Sequence, residues 1–179
     1  MTMCTRKDFL KLAAGAAFVP WAPLFAAPAS RGFQIGVCDW NLGKSANPEA
    51  LKLAAELDID GVQVSFGAPG GPHDLRKPEA LKRFRQAEKE HGTKMASMAM
   101  GILNGRPYKS DPNTKQWVVD SIDAAKMAGL KVVLLAFFGK GDIKGDVQGT
   151  KEVIRRLKAV APKAEKAGVV LGLETWLDM

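Results

Sequence analysis

The chain is poor in the residue types that mark several common protein classes. It has two cysteines in 179 residues, Cys4 and Cys38. If the first 29 residues are removed as a leader, Cys38 stands alone and no intrachain disulfide can form. Neither cysteine lies at a metal-ligand spacing, and Cys38, inside an apolar segment, reads as a small buried residue rather than a nucleophile. No Gly-x-Gly-x-x-Gly follows the first strand-like segment, which argues against a dinucleotide site. No apolar run is long and unbroken enough for a good membrane span: the stretch from Leu12 to Ala27 is interrupted by Pro20 and Pro23. The net charge is +7 with a pI near 9.5, yet the basic residues form no block interleaved with aromatics. The first 29 residues carry +2 of that charge, leaving +5 for the rest, spread along helical segments such as Lys82-Arg83-Phe-Arg85 and Arg155-Arg156-Leu-Lys158. Solvated helix faces account for this pattern better than a nucleic-acid surface. Attraction for an anionic substrate stays open.

What is present begins with an export-like leader over residues 1–29. A basic start (Arg6, Lys7, Lys11) precedes a short apolar run, and Ala27-Pro28-Ala29 offers small residues for cleavage. Thr5-Arg6-Lys7-Asp8-Phe9-Leu10-Lys11 is similar to the twin-arginine motif, with Lys7 where the second arginine is expected. The expectation is export, to the periplasm if the source is bacterial.

From Phe33 onward, apolar runs alternate with amphipathic helical stretches. Strands are expected at 33–38, 61–66, 93–100, 130–138 and 169–173. Helices are expected at about 48–57, 78–91, 112–128 and 150–167, the last interrupted or kinked near Pro162. The helix signals are local: Asn47-Pro48-Glu49 and Asp111-Pro112 as starts, and Gly92, Gly129 and Gly168 as stops. Strand–helix alternation at this spacing implies right-handed βαβ units in a parallel sheet. Residues 30–179 suit the front of a (β/α)8 barrel cut after its fifth strand, since a whole barrel needs about 250 residues. A five-stranded doubly wound sheet also fits the length but would ordinarily finish on a helix.

In parallel α/β folds, chemistry gathers at the carboxyl ends of the strands. Glu174, an acid at the tip of Val169-Val-Leu-Gly-Leu173, is therefore the leading candidate. Asp39, Trp40 and Asn41 close the first strand and either line the mouth or make a turn. Asn104, Lys140 and His73 sit on loops of the same end. Phe137 and Phe138 end the fourth strand, with at least one expected in the core. Met95, Met98 and Met100 suit barrel packing, and His91, at the opposite end of the fold, is given no function.

Ala164-Glu-Lys-Ala-Gly-Val-Val-Leu-Gly-Leu-Glu174 resembles the fifth-strand segment of the sugar phosphate isomerase/epimerase family, the xylose-isomerase-like barrels. Asp60-Gly-Val-Gln-Val64 resembles that family's second strand, where an acid often replaces Gln63. Ser121-Ile-Asp-Ala-Ala-Lys-Met-Ala-Gly-Leu-Lys-Val-Val133 resembles its third helix and fourth strand. Together they span nearly all of residues 33–176. The resemblance implies a (β/α)8 TIM barrel holding a divalent metal (Mn, Mg, Co or Zn) at its C-terminal face and acting on a sugar or sugar phosphate by proton abstraction next to a carbonyl. Of the family's carboxylate and histidine ligands only Glu174 is matched, as metal ligand and proton carrier; the others would follow residue 179. Trp40, Asn104, Phe138 and Trp176 are then expected to contact substrate. Two other readings stand beside this one. A truncated fragment or sugar-binding protein without turnover is the first. A zinc phosphodiesterase of the same superfamily is the second, disfavoured because strand three ends Met98-Ala-Met100 without a histidine. Open barrel edges would favour self-association.

Overall fold

The computed structural model describes residues 32–176, so the leader reading of residues 1–29, Cys4 included, lies outside the described residues. Within residues 34–179, one compact unit, the described part carries five strands and four α-helices in strict alternation. They are β1 (Gly36–Cys38), α1 (Glu49–Glu56), β2 (Gly61–Ser65), α2 (Pro78–His91), β3 (Lys94–Met100), α3 (Asn113–Ala128), β4 (Val132–Ala136), α4 (Val147–Ala167) and β5 (Val170–Glu174). The strands pair in parallel in sequence order, β1-β2-β3-β4-β5. A sequential parallel order with a helix in every crossover is the order of strands in a TIM barrel. Short 3-10 turns follow β1, β3 and β4 at the strand tips, over Asp39–Leu42, Gly101–Asn104 and Gly139–Gly141.

Each helix starts and stops where local chemistry dictates. Asn47 and Asp111 accept from the backbone N–H two residues on, at 3.0 and 2.9 Å, and so cap α1 and α3. Gly92, Gly129 and Gly168 end α2, α3 and α4 in the left-handed conformation. Several boundaries differ from the sequence expectation, among them β4, which spans Val132–Ala136 rather than 130–138. α4 begins at Val147 because the Asp146 carboxylate caps the amide of Gly149 at 2.8 Å. The helix also runs through Pro162 without ending. The missing N–H would have bonded the carbonyl of Lys158, and both residues are exposed, so water can satisfy that carbonyl. β1 is shorter than expected: it starts at Gly36, and Phe33 and Ile35, which precede it, are exposed.

The core lies between the sheet and its helices. Val62, Val64, Met98, Met100, Val133, Leu135 and Phe137 point outward from the strands and meet Leu51, Phe84, Val118, Ile122 and Val153 from the helices. Each such fully buried side chain contributes about 1.5–3 kcal/mol of hydrophobic stabilisation. A bulge in the β2–β3 pairing, where Val62 faces Met95 but Gln63 faces Ser97, lets Met95 share a face with Met98 and Met100 despite the change of parity. The amide of Met95 donates to the buried carboxylate of Glu88 on α2, 2.9 Å away. The opposite, concave face carries small and polar residues, Gly61, Gln63, Ser65, Ser97, Ala99, Ala136 and Gly172, together with Val132, Leu134 and Val170 of β4 and β5. On it, Cys38 Sγ donates to Gln63 Oε1 at 3.4 Å and Gln63 Nε2 donates to Ser97 Oγ at 2.9 Å. No helix among the described residues is long and apolar enough to cross a membrane.

Candidate active site

The carboxyl ends of all five strands open on one cavity of about 600 Å³. Its wall at β5 is Glu174, which stands opposite Ala136 in the strand register and so faces the concave side. Trp40, Asn104 and Phe138 line the same cavity. Trp176 does not line it directly but packs edge-on against Phe138, with ring centroids 5.2 Å apart. Phe137 is fully buried on the helix side and Phe138 faces the mouth, so the pair divides between core and site.

Several strand-end residues turn out to hold the mouth in shape. Asp39 is fully buried. Its Oδ2 accepts from the amides of Ser65 at 2.6 Å and Ala46 at 2.8 Å, and its Oδ1 accepts from the Ser65 hydroxyl at 2.7 Å. This carboxylate ties the tip of β1 to the tip of β2 and pins Ala46, which has a positive φ of 53° that costs a non-glycine residue energy. Asn104 Oδ1 accepts from the Phe138 amide at 2.9 Å, so its carbonyl is a strut between the β3 and β4 loops. Asn41 and Lys140 do not line the cavity. Nor does His73, which lies behind Gly67 in the loop after β2 and whose Nδ1 is buried without a partner among the described residues. His91 stays at the far end of α2 beside Glu90.

Sequence reasoning missed Ser45 and Ser65, whose hydroxyls lie 3.0 Å apart at the cavity wall. The signal for Ser65 was its place in the last turn of a strand otherwise made of Val62, Val64 and Phe66; nothing in the sequence marked Ser45. Gly67 lines the cavity too, at φ +86°, and a Cβ there would stand 2.6 Å from the carbonyl oxygen of His73 and 3.0 Å from Asp74 Cα. Gly67→Ala is expected to lose about 2–3 kcal/mol in urea unfolding; an unchanged midpoint would show that the loop can shift at no cost.

The electrostatics of the mouth are acidic. Glu174 is the single charged side chain among the residues lining the cavity. Burial, and then the negative charges of Asp39 and Glu174, raise the Cys38 thiol above its ordinary pKa. Two results are expected in a Cys4→Ser chain at pH 8. Alkylation of Cys38 is several-fold slower than that of a free thiol, and Glu174→Gln speeds it. Reaction at the free-thiol rate would contradict this placement. Below the mouth, burial alone would raise the Asp74 carboxyl. The Arg76 guanidinium and the amides of Gly70 and Arg76 overcome that effect and hold it below its usual range.

Among the described residues no group of three or more His, Cys, Asp or Glu side chains could hold a metal ion. Asp39 spends both oxygens on β2 and the turn after β1, which leaves Glu174 as one oxygen donor. A hard divalent cation takes about six or more. The described residues therefore do not by themselves fit the metal that the resemblance implies.

A parallel sheet wound in sequence order, with an acid and aromatics at the strand tips, defines the mouth half of a TIM-barrel protein. Residues 51–179 match the xylose isomerase-like TIM barrel family, and the chain belongs to that family. A 2-epi-5-epi-valiolone 7-phosphate 2-epimerase from Actinoplanes sp. is 28% identical over 145 residues, which cover 80% of this chain and 53% of that enzyme. A xylose isomerase-like TIM barrel protein from Mycobacterium smegmatis, solved in complex with magnesium, superposes with a TM-score of 0.64 at 16% identity, over 82% of this chain and 56% of that one. A D-tagatose 3-epimerase-like protein gives 0.60 at 18% identity, over 82% and 54%. The chain thus spans about half the length of the relatives it matches.

Proposed function

We propose that this chain supplies the first five strands and part of the active-site mouth of a sugar isomerase or epimerase that moves a proton at the carbon next to a carbonyl. The observation that carries this reading is Glu174: a carboxylate at a strand tip, on the concave face, opening into a cavity walled by Trp40 and Phe138. The epimerase among the relatives supports it. A carboxylate in this position can accept a proton from a bound ketose, and flat aromatic walls stack on the C–H faces of a sugar ring. A divalent metal, if bound, would polarise the carbonyl; Glu174 is the one carboxylate that the described residues offer it, and further ligands would have to come from outside them. No cation lines the described part of the cavity. A substrate phosphate would therefore also be met elsewhere, and a neutral sugar suits this half as well. The test is epimerisation of ketoses and ketose phosphates by the complete gene product, with and without added Mn²⁺; absence of turnover on every ketose tried, in a folded metal-loaded protein, would reject the reading.

The incomplete donor set favours a second reading for the 179-residue chain by itself, sugar binding without turnover. Its sheet leaves one side of β1 and of β5 unpaired among the described residues, and Val170 and Leu173 of β5 are exposed. This chain alone is expected to self-associate at tens of micromolar. A single monomeric peak by size exclusion with light scattering would contradict that. Export through a twin-arginine-like leader remains part of the proposal, and fractionation of the host cell tests it.

A further inference from the structure

A second pocket, sharing no residue with the cavity at the strand tips, lies between α3 and α4 and has a volume of about 180 Å³. That is room for roughly six waters at ~30 Å³ each. Its floor is apolar: Val119 of α3, Ala159 and Val160 of α4, and Tyr108 from the loop before α3. Its remaining walls are four cations, Lys115, Arg155, Arg156 and Lys163.

These charges are not cancelled locally. The Glu152 carboxylate serves two guanidiniums, accepting from Arg155 at 2.7 Å and from Arg156 at 2.6 Å. Asp123 pairs with Lys163 at 2.7 Å. Lys115, exposed on the first turn of α3, takes part in no ion pair among the described residues. Two carboxylates against four cations leave the pocket positive.

The floor is packed on both faces of the Tyr108 ring. The Tyr108 ring stacks on Phe137 with centroids 6.2 Å apart, and the Arg156 guanidinium lies 5.5 Å above the ring centroid. Arg156 is itself buried and held by the carbonyl of Asp111 at 2.9 Å. Tyr108 is 1% exposed and its hydroxyl has no protein hydrogen-bond partner among the described residues, but the oxygen is not fully enclosed and meets the solvent of the pocket that Tyr108 lines. Burial pushes that hydroxyl up to about 12, against the opposing pull of Arg156, so at neutral pH it keeps its proton and can donate. An acceptor entering the pocket would replace water at that hydroxyl.

We propose that the pocket between α3 and α4 binds a small organic anion, its carboxylate or phosphate head held by Lys115, Arg155 and the Tyr108 hydroxyl and its apolar body resting on Val119 and Val160. The shared chemistry is an acid head on a short apolar group. The basic residues explain the acid head, the apolar floor the body, and the volume the small size. Nothing in this inference depends on the reaction proposed for Glu174.

Tyr108 is the only tyrosine in the chain, so labelling tyrosine with carbon-13 gives a single ring signal by NMR. The full 179-residue chain is titrated at low ionic strength with phenyl phosphate, benzoate, inorganic phosphate and phenol. The expected result is a saturable shift of the Tyr108 signal with phenyl phosphate or benzoate. Their relative affinities decide between a phosphate and a carboxylate head. Lys115→Glu should weaken binding about tenfold or more, as removal of one charge-assisted hydrogen bond does, whereas Glu174→Gln should leave it unchanged. The proposal is overturned by an unsaturable response, by inorganic phosphate binding as tightly as phenyl phosphate, by indifference to Lys115→Glu, or by loss of the response in Glu174→Gln.

Discussion

Glu174→Gln is expected to slow epimerisation by the complete gene product about 10²–10⁴-fold, the usual contribution of a positioned general base. The amide keeps the shape of the side chain at the β5 tip but cannot accept a proton, and it is a weaker ligand for a hard cation. Sugar binding should change far less than turnover, because the stacking surfaces are Trp40 and Phe138. Loss of sugar binding with little change in kcat would recast Glu174 as a substrate contact. Glu174→Asp separates the roles further, since it retains a carboxylate but withdraws it from the cavity by one methylene. Turnover lower than wild type but well above Glu174→Gln would support a carboxylate whose placement matters.

Asp39→Ala is expected to cost about 3 kcal/mol of stability, measured by urea unfolding of the 179-residue chain. The substitution strands the amides of Ser65 and Ala46 and the hydroxyl of Ser65, all bonded to one buried carboxylate. It also frees the left-handed turn at Ala46. Asp39→Asn should fall between wild type and alanine, because one amide oxygen can serve only part of that set. Since Ser65, Ala46 and Trp40 all line the cavity, both variants should also weaken sugar binding in the complete protein. A loss below 1 kcal/mol for Asp39→Ala would show that water replaces the carboxylate and that the tips of β1 and β2 are not held by it.

The alternation of strands and helices was legible because each junction is signalled locally. A helix ends at Gly92, Gly129 or Gly168 in the left-handed conformation and an apolar run follows. Glu174 was legible as a strand-tip acid for the same reason. What the sequence concealed depends on contacts between distant segments. The β3 bulge, which turns Met95 to the same side as Met98, arises from pairing with β2 and has no marker in its own residues. The stretch Asp39-Trp40-Asn41 admitted two readings, and both hold: all three residues lie in the 3-10 turn, which Asp39 clamps, and Trp40 also lines the mouth. Asn104 reaches the mouth as expected, but its carbonyl is already committed to Phe138, 34 residues away. Pro162 does not end α4, which runs on to Ala167; the site is exposed, so the carbonyl of Lys158 that loses its partner can turn to water.

The most direct test of the account is solvent-deuterium incorporation into a ketose by the complete gene product, followed by NMR at the carbons flanking the carbonyl. The account predicts deuterium at one of those carbons, at a rate that falls with Glu174→Gln. Exchange that survives Glu174→Gln undiminished would place the proton-carrying base elsewhere, and epimerised product without deuterium would contradict proton exchange at the mouth.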